Sequence, residues 1–227
     1  MHLLLTDRAT CPRCGPAFGL ILLAERVVDR RILEGHLGCP NCREHYPVGR
    51  GFGDLRPPVD RRARADEPPG TAKPTGAPDP PAAAPDPDPA VTHDVEGALR
   101  LAALLGVERG PGFLLVMGPS ARLAGRVAAM VEGIEVVAVG PGVQALDEDS
   151  GVSRMAFGQG VPFYDGSFQG VALQGEWISP YLAEALRVLR TGARIVLLDP
   201  SEEDRTRLEK AGLEFLLVTG KALVAVA

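Results

Sequence analysis

The hydrophobic and polar positions divide this chain into three stretches of different texture. In residues 1–56, short apolar runs alternate with Gly, Pro and charged residues. Gly19-Leu-Ile-Leu-Leu23 and Arg31-Ile-Leu-Glu-Gly-His-Leu37 read as two strands joined by a turn near Val28-Asp29-Arg30. Residues 57–90 hold almost no large apolar side chain and end in Ala84-Pro-Asp-Pro-Asp-Pro-Ala90. That composition cannot bury a core and predicts a disordered linker with extended, polyproline-like character. In residues 91–227 helical and strand periodicities alternate. Val95, Leu99, Ala102 and Leu105 put one apolar face on a helix over His93–Leu105. Phe113–Met117 and Glu135–Val139 are runs of buried strand, with a helix opened by Gly118-Pro119-Ser120 and ending at Met130 between them. Strands near Val152–Ala156, Gly170–Leu173 and Ala193–Leu198 follow, with helices over Tyr181–Leu189 and Ser201–Ala211, the second capped by Ser201. A hairpin, Leu213–Val218 and Lys221–Val226, turns at Thr219-Gly220. Buried strands alternating with helices predict an α/β fold around a mostly parallel sheet.

At 227 residues the chain suffices for one such domain plus a small module. Its net charge of -5 is unevenly placed. Residues 1–64 carry eleven arginines against seven acids, a net of +4, while the remainder carries thirteen basic and twenty-two acidic residues, a net of −9. The basic front can attract the acidic back or a phosphate backbone, or the two are simply differently solvated surfaces. Arg61-Arg62-Ala63-Arg64 reads as solvated linker. Met1–Leu5 is too short for a signal-peptide core, and no apolar stretch approaches the ~20 residues that span a bilayer. A cytoplasmic protein without a membrane partner is expected.

All four cysteines lie near the front, as Cys11-Pro-Arg-Cys14 and Cys39-Pro-Asn-Cys42. Two C-x2-C turns can present four thiolates to one tetrahedral Zn2+, whose charge neutralises them and lets a segment with little core fold. Disulfides would suit an exported protein, and a redox pair needs one C-x-x-C in a βαβ setting. An iron–sulfur centre also accepts four cysteines. Four protein thiolates leave no open coordination position, so the zinc is expected to be structural. His36 and His45 read as surface or outer groups rather than ligands.

Leu3–Leu5, the two C-P-x-C pairs, the hairpin between them and Tyr46-Pro47-Val48 together resemble the zinc ribbon of the tRNA methyltransferase activator subunit family. The likeness covers about fifty-five residues and loosens at Gly51-Phe-Gly-Asp-Leu55. It implies a module that binds and stabilises S-adenosylmethionine (SAM)-dependent methyltransferases, often by extending their sheet.

The third stretch resembles class I SAM methyltransferases of the small-molecule type. Val161-Pro-Phe-Tyr-Asp-Gly-Ser-Phe168 is similar to their L-P-F-x-D-x-S-F-D segment. Glu184-Ala-Leu-Arg187-Val-Leu-Arg-Thr-Gly192-Ala-Arg194 is similar to their E-x-x-R-V-L-R-P-G-G-R segment. The resemblance implies a Rossmann-like sheet of order 3-2-1-4-5-7-6 with the last strand antiparallel. It also places the cofactor site, and there the chain departs from the family. Val116 stands where an acid would hold the methionine amino group, in Val116-Met-Gly118-Pro-Ser120. Gly140 stands where an acid would take the ribose hydroxyls, and Gln159 where an acid would read adenine. Gln169 replaces the last Asp of the first motif. Each lost charge-assisted hydrogen bond is worth about 1.5–3 kcal/mol. Asp147, Glu148 and Asp149 could substitute only with a shift in register. No G-x-G-x-x-G supports a dinucleotide site, no Asn-Pro-Pro-Tyr follows the fourth strand, and Glu176 reads as a helix-start or surface residue rather than a base.

The expected protein is therefore a non-catalytic or regulatory methyltransferase-like chain, its ribbon docked on its own third stretch or on a separate methyltransferase. Gly118, Ser120, Gly140 and Gln159 mark its degenerate cofactor positions. An active methyltransferase with a divergent SAM pocket is the rival. An RNA-associated module using Arg30, Arg31 and Arg43 is a third reading, with few aromatics beside them to stack bases.

Overall fold

In a computed structural model the described residues are 1–57, 89–146, 151–158 and 160–227, with side chains of 89–93 left aside. The expected linker and Arg61–Arg64 lie almost wholly outside them.

The chain opens with a single turn, α1 (Leu3–Thr6), and a small antiparallel pair, β1 (Thr10–Cys11) and β2 (Gly15–Gly19). A meander follows: β3 (Ile21–Val28), β4 (Arg31–Gly38), β5 (His45–Gly49) and β6 (Phe52–Leu55), each antiparallel to the next. Its two tight turns rest on left-handed pairs, Asp29-Arg30 (φ 47 and 62) and Arg50-Gly51 (φ 48 and 69), the geometry that matches the twist of paired strands.

From residue 89 onward come α2 (Pro89–Leu105), β7 (Arg109–Met117), a 3-10 turn over Pro119–Leu123, α3 (Ala124–Met130), β8 (Glu132–Val139) and β9 (Val152–Phe157). Then follow β10 (Phe168–Gln174), α4 (Ile178–Val188), β11 (Leu189–Leu198), α5 (Glu202–Lys210), β12 (Glu214–Val218) and β13 (Ala222–Val226). The helix expected from Gly118 to Met130 is thus split, because Pro119 starts a 3-10 turn before α3. Ser201 caps α5 as the sequence predicts, its hydroxyl accepting from the Asp204 N–H while the Asp204 carboxylate accepts from the Ser201 N–H.

Within the α/β unit the strands run β9-β8-β7-β10-β11-β13-β12, which is the order 3-2-1-4-5-7-6. All neighbours are parallel except around β13, which is antiparallel to β11 and β12. The sheet does not end at β9. β6 pairs with it in parallel, Phe52 opposite Arg154 through Leu55 opposite Phe157, so one 11-stranded sheet continues through β6, β5 and β4 to β3.

Alternation along the central strands splits the core in two. Leu114, Val116, Val136 and Ala138 face α2 and α3, with Leu101, Leu105 and Val127 packed on them. Leu115, Met117, Val137 and Val139 face the other way, toward Leu182, Ala185 and Val188 of α4. That second core runs without a break into Leu5, Ile32, Leu37, Tyr46 and Leu55 of the N-terminal segment. One sheet face is therefore covered jointly by both parts of the chain.

Candidate metal centre and strand-end clefts

Cys11 ends β1, Cys14 precedes β2, Cys39 follows β4 and Cys42 lies in the turn before β5. The two turns bring all four sulfurs within 4.8 Å of one another. Cys11 and Cys42 are 3.7 Å apart, and Cys39 and Cys14 are 3.8 Å apart. A tetrahedron with metal–sulfur bonds of about 2.3 Å has edges of about 3.8 Å. The spacing therefore suits one ion and is far beyond a disulfide, for which a bond of about 2.05 Å is required. This group can hold a metal.

Its surroundings act on the sulfurs unequally. The Cys14 N–H lies 3.4 Å from Cys11 Sγ, and Asn41 Nδ2 lies 3.4 Å from Cys14 Sγ. Burial would raise the Cys39 thiol, but the backbone N–H groups of Cys42 and Asn41 pull it down to about 7. Burial pushes Cys42 up to about 12. Tyr46, buried, sits with its hydroxyl 3.5 Å from Cys11 Sγ. His36 pairs with Glu25 at 3.4 Å and faces the His45 ring at 6.3 Å, and neither belongs to the sulfur group.

The N-terminal segment meets the α/β unit through buried polar contacts as well as the sheet. Arg31 of β4 donates two hydrogen bonds to the Glu135 carboxylate, at 2.8 and 2.9 Å, and another to the Val152 carbonyl. Ser153 Oγ donates to Glu135 at 2.6 Å and accepts from the His2 N–H at 2.8 Å. Buried Arg154 donates to the Arg50 and Leu146 carbonyls. On the other side of the cysteine knuckle, the Thr10 N–H donates to Pro162 O at 2.8 Å and the Tyr164 N–H to Arg8 O at 3.0 Å. Arg31 is thus turned into the protein and is not presented to solvent as an RNA-contacting side chain would be.

The segment held this way is the first methyltransferase-like motif, and the second motif holds it from behind. Arg187 donates to Val161 O and Phe163 O, both at 2.8 Å, to Asp165 at 2.7 Å, and to Glu184 at 2.7 Å. Those bonds from Arg187 hold the Glu184 carboxyl below its usual range against burial.

The C-terminal ends of the parallel strands, where open α/β sheets take ligands, carry two clefts. One, of about 370 Å3, lies beyond β8 and β9 and is walled by Gly140, Gly142, Phe157 and Trp177, with Phe52 and Arg56 reaching in from β6 and the residues just after it. Arg56 is already bound to Asp54, at 2.8 and 2.5 Å. Among the described residues lining this cleft there is no carboxylate. The glycines at its back are taken up by the protein itself. A Cβ on Gly140 would stand 2.3 Å from the Gly118 carbonyl oxygen, and one on Gly118 (φ 93) would stand 3.1 Å from the Trp177 indole. Trp177 in turn stacks on Tyr181 at 5.7 Å, and the Tyr181 hydroxyl donates to Gly158 O at 2.8 Å.

Ser120 does not join Gly140. It faces a second cleft on the α2 side of the sheet. Gln159 and Asp147–Asp149 lie outside the described residues. Gln169 donates to Pro111 O at 3.0 Å, and Glu176 is exposed in the 3-10 turn Gly175–Trp177. Sequence reasoning missed Glu135, Ser153, Arg154 and Trp177. The available signal was polar residues set inside otherwise apolar strands, Glu135 heading Val-Val-Ala-Val and Ser153-Arg154 inside β9.

No family model matches the chain, and no curated protein does. Among solved structures it is similar to the tRNA (m1A58) methyltransferase TrmI from Aquifex aeolicus, at 12% identity over 57% of this chain and 67% of that one, TM-score 0.42. It is similar to geranyl diphosphate methyltransferase in complex with SAM, at 17% identity over 58% of this chain and 84% of that one, TM-score 0.45. A complex between the Haloferax volcanii Trm112 methyltransferase activator and a protein described as a methyltransferase gives 19% identity, 60% of this chain, 91% of that one and TM-score 0.46. The chain's own strand order defines a Rossmann-like α/β fold with a mostly parallel sheet, and its N-terminal β-rich part carries the cysteine cluster. Among the described residues no helix is long and apolar enough to cross a membrane.

Proposed function

We propose that this chain is a non-catalytic, methyltransferase-like protein whose N-terminal part is a zinc ribbon serving its own α/β unit. The observation that carries the reading is the strand-end cleft. Where a SAM-binding protein needs open glycines and carboxylates, Gly118 is covered by Trp177 and Gly140 lies against the Gly118 carbonyl. The described lining offers no carboxylate to pair with the ligand's ammonium group or accept from its ribose, and its one charged side chain, Arg56, is bound to Asp54. The ribbon reading is supported by the sulfur spacing and by the pairing of β6 with β9, which uses a sheet edge of each part. With that edge engaged in cis, a separate methyltransferase is not the partner this surface calls for.

Calorimetric titration of the full chain with SAM and with S-adenosylhomocysteine tests the first half. Silence at millimolar ligand is expected, and micromolar binding would overturn it in favour of an active methyltransferase. Elemental analysis tests the second, with one zinc per chain expected and iron with sulfide the contrary result.

A further inference from the structure

The second strand-end cleft points to a ligand of a different kind. It lies between the 3-10 turn that follows β7 and the ends of β10 and β11, beside the point where the strand order reverses and open α/β sheets receive ligands. Its volume is about 220 Å3, below the ~300–1,000 Å3 typical of pockets for drug-sized molecules. The apolar lining comes from Leu101 and Leu104 of α2, Leu123 of the 3-10 turn and Leu198 at the end of β11.

Three of the six polar side chains around it are cationic. Arg100, Arg122 and Lys221 approach from α2, the 3-10 turn and the last hairpin. Two acids stand nearby. Asp94 pairs with Arg122 at 3.3 Å, and Asp199 on the rim accepts from Gln174 at 3.0 Å. Arg100 and Lys221 are both exposed, leaving the lining with three cations against one carboxylate.

Independent of charge is Ser120. It is 3% exposed, lines this cleft, and its hydroxyl is the one buried side-chain polar atom among the described residues that has no hydrogen-bond partner. Such a group costs stability unless something pairs with it. A hydroxyl can donate to an oxyanion, and Arg and Lys are the side chains that bind one.

We propose that this cleft binds a small oxyanion of the phosphate class, with the Ser120 hydroxyl donating to it and Arg100 and Lys221 neutralising it. The leucines leave room for the carbon body of a phosphate monoester. The site selects against the cationic SAM by the same charges that draw an anion, yet it does not depend on whether the neighbouring cleft binds SAM.

The test is titration of the full chain, at constant ionic strength, with inorganic phosphate and with phenyl phosphate, followed by calorimetry and thermal melting. Saturable millimolar or tighter binding with a rise in melting temperature is expected. Tighter binding of phenyl phosphate than of phosphate identifies an ester as the ligand, and equal binding identifies free phosphate. Ser120→Ala removes an unpaired buried hydroxyl, so it keeps or raises the melting temperature of the free protein while weakening phosphate by at least about tenfold. Arg100→Gln, on an exposed helix position, weakens it similarly. The proposal is overturned by no saturable signal with either probe, or by binding that both variants leave unchanged.

Discussion

Arg187 shows how much one side chain can hold. It fastens two carbonyls and two carboxylates, and it is the i+3 partner of Glu184 on α4. Replacing it by Leu strands those acceptors. A loss of about 2–4 kcal/mol is expected in urea unfolding, with Val161–Asp165 losing hydrogen-exchange protection. Glu184 also sets a pH dependence. Its carboxyl is depressed in the folded protein, so its contribution is complete above the ordinary carboxylate range and is lost as pH falls through the folded value. Unfolding curves of Glu184→Gln should therefore be flatter with pH on the acid side than those of the parent chain. Both residues were legible in the sequence as members of the segment resembling E-x-x-R-V-L-R-P-G-G-R, but the bonds from Arg187 to residues 161–165 were not. Gly140 was legible as a missing acid but not as a contact. Its α-carbon lies against the Gly118 carbonyl, so restoring the acid with Gly140→Asp should cost about 1–3 kcal/mol and fail to create SAM binding, measured by melting and calorimetry together.

The elements of the α/β unit could be read from alternation and capping, since β7, β8 and α5 carry strong local signals. The meander was read less completely. β3 and β4 were foreseen, whereas β6, only four residues long and centred on Gly53-Asp54, has little apolar signal of its own. It is held between β5 and β9, and the pairing with β9 is one that no local pattern encodes. The Arg31–Glu135 pair is equally nonlocal, joining residues 104 apart. Both side chains are largely buried, so Arg31→Ala, which leaves the Glu135 carboxylate unpaired, should cost about 3–5 kcal/mol. Replacing both residues by Met should cost far less. A double-mutant cycle in denaturant measures the difference.

One sheet and one core cluster spanning both parts of the chain imply a single unfolding event. Scanning calorimetry should show one transition, and a metal chelator should lower it as a whole rather than split off an early ribbon step. Cys39→Ser should act in the same way without chelator. The outer ends of such a long sheet need protection. β3, the edge on the N-terminal side, exposes Ile21 and Leu23 yet carries two irregularities in its pairing with β4, between Ala24 and Val27. Bulges of this kind interrupt the regular row of backbone groups that a foreign strand would need.

Trp177 is the one tryptophan in the chain, and it lies on Gly118 with Tyr181 stacked behind it. The protein consequently carries its own optical reporter at the mouth of the β8–β9 cleft. Anything that enters there far enough to reach Gly118 must lift the indole off the backbone, and the emission would register it without a label.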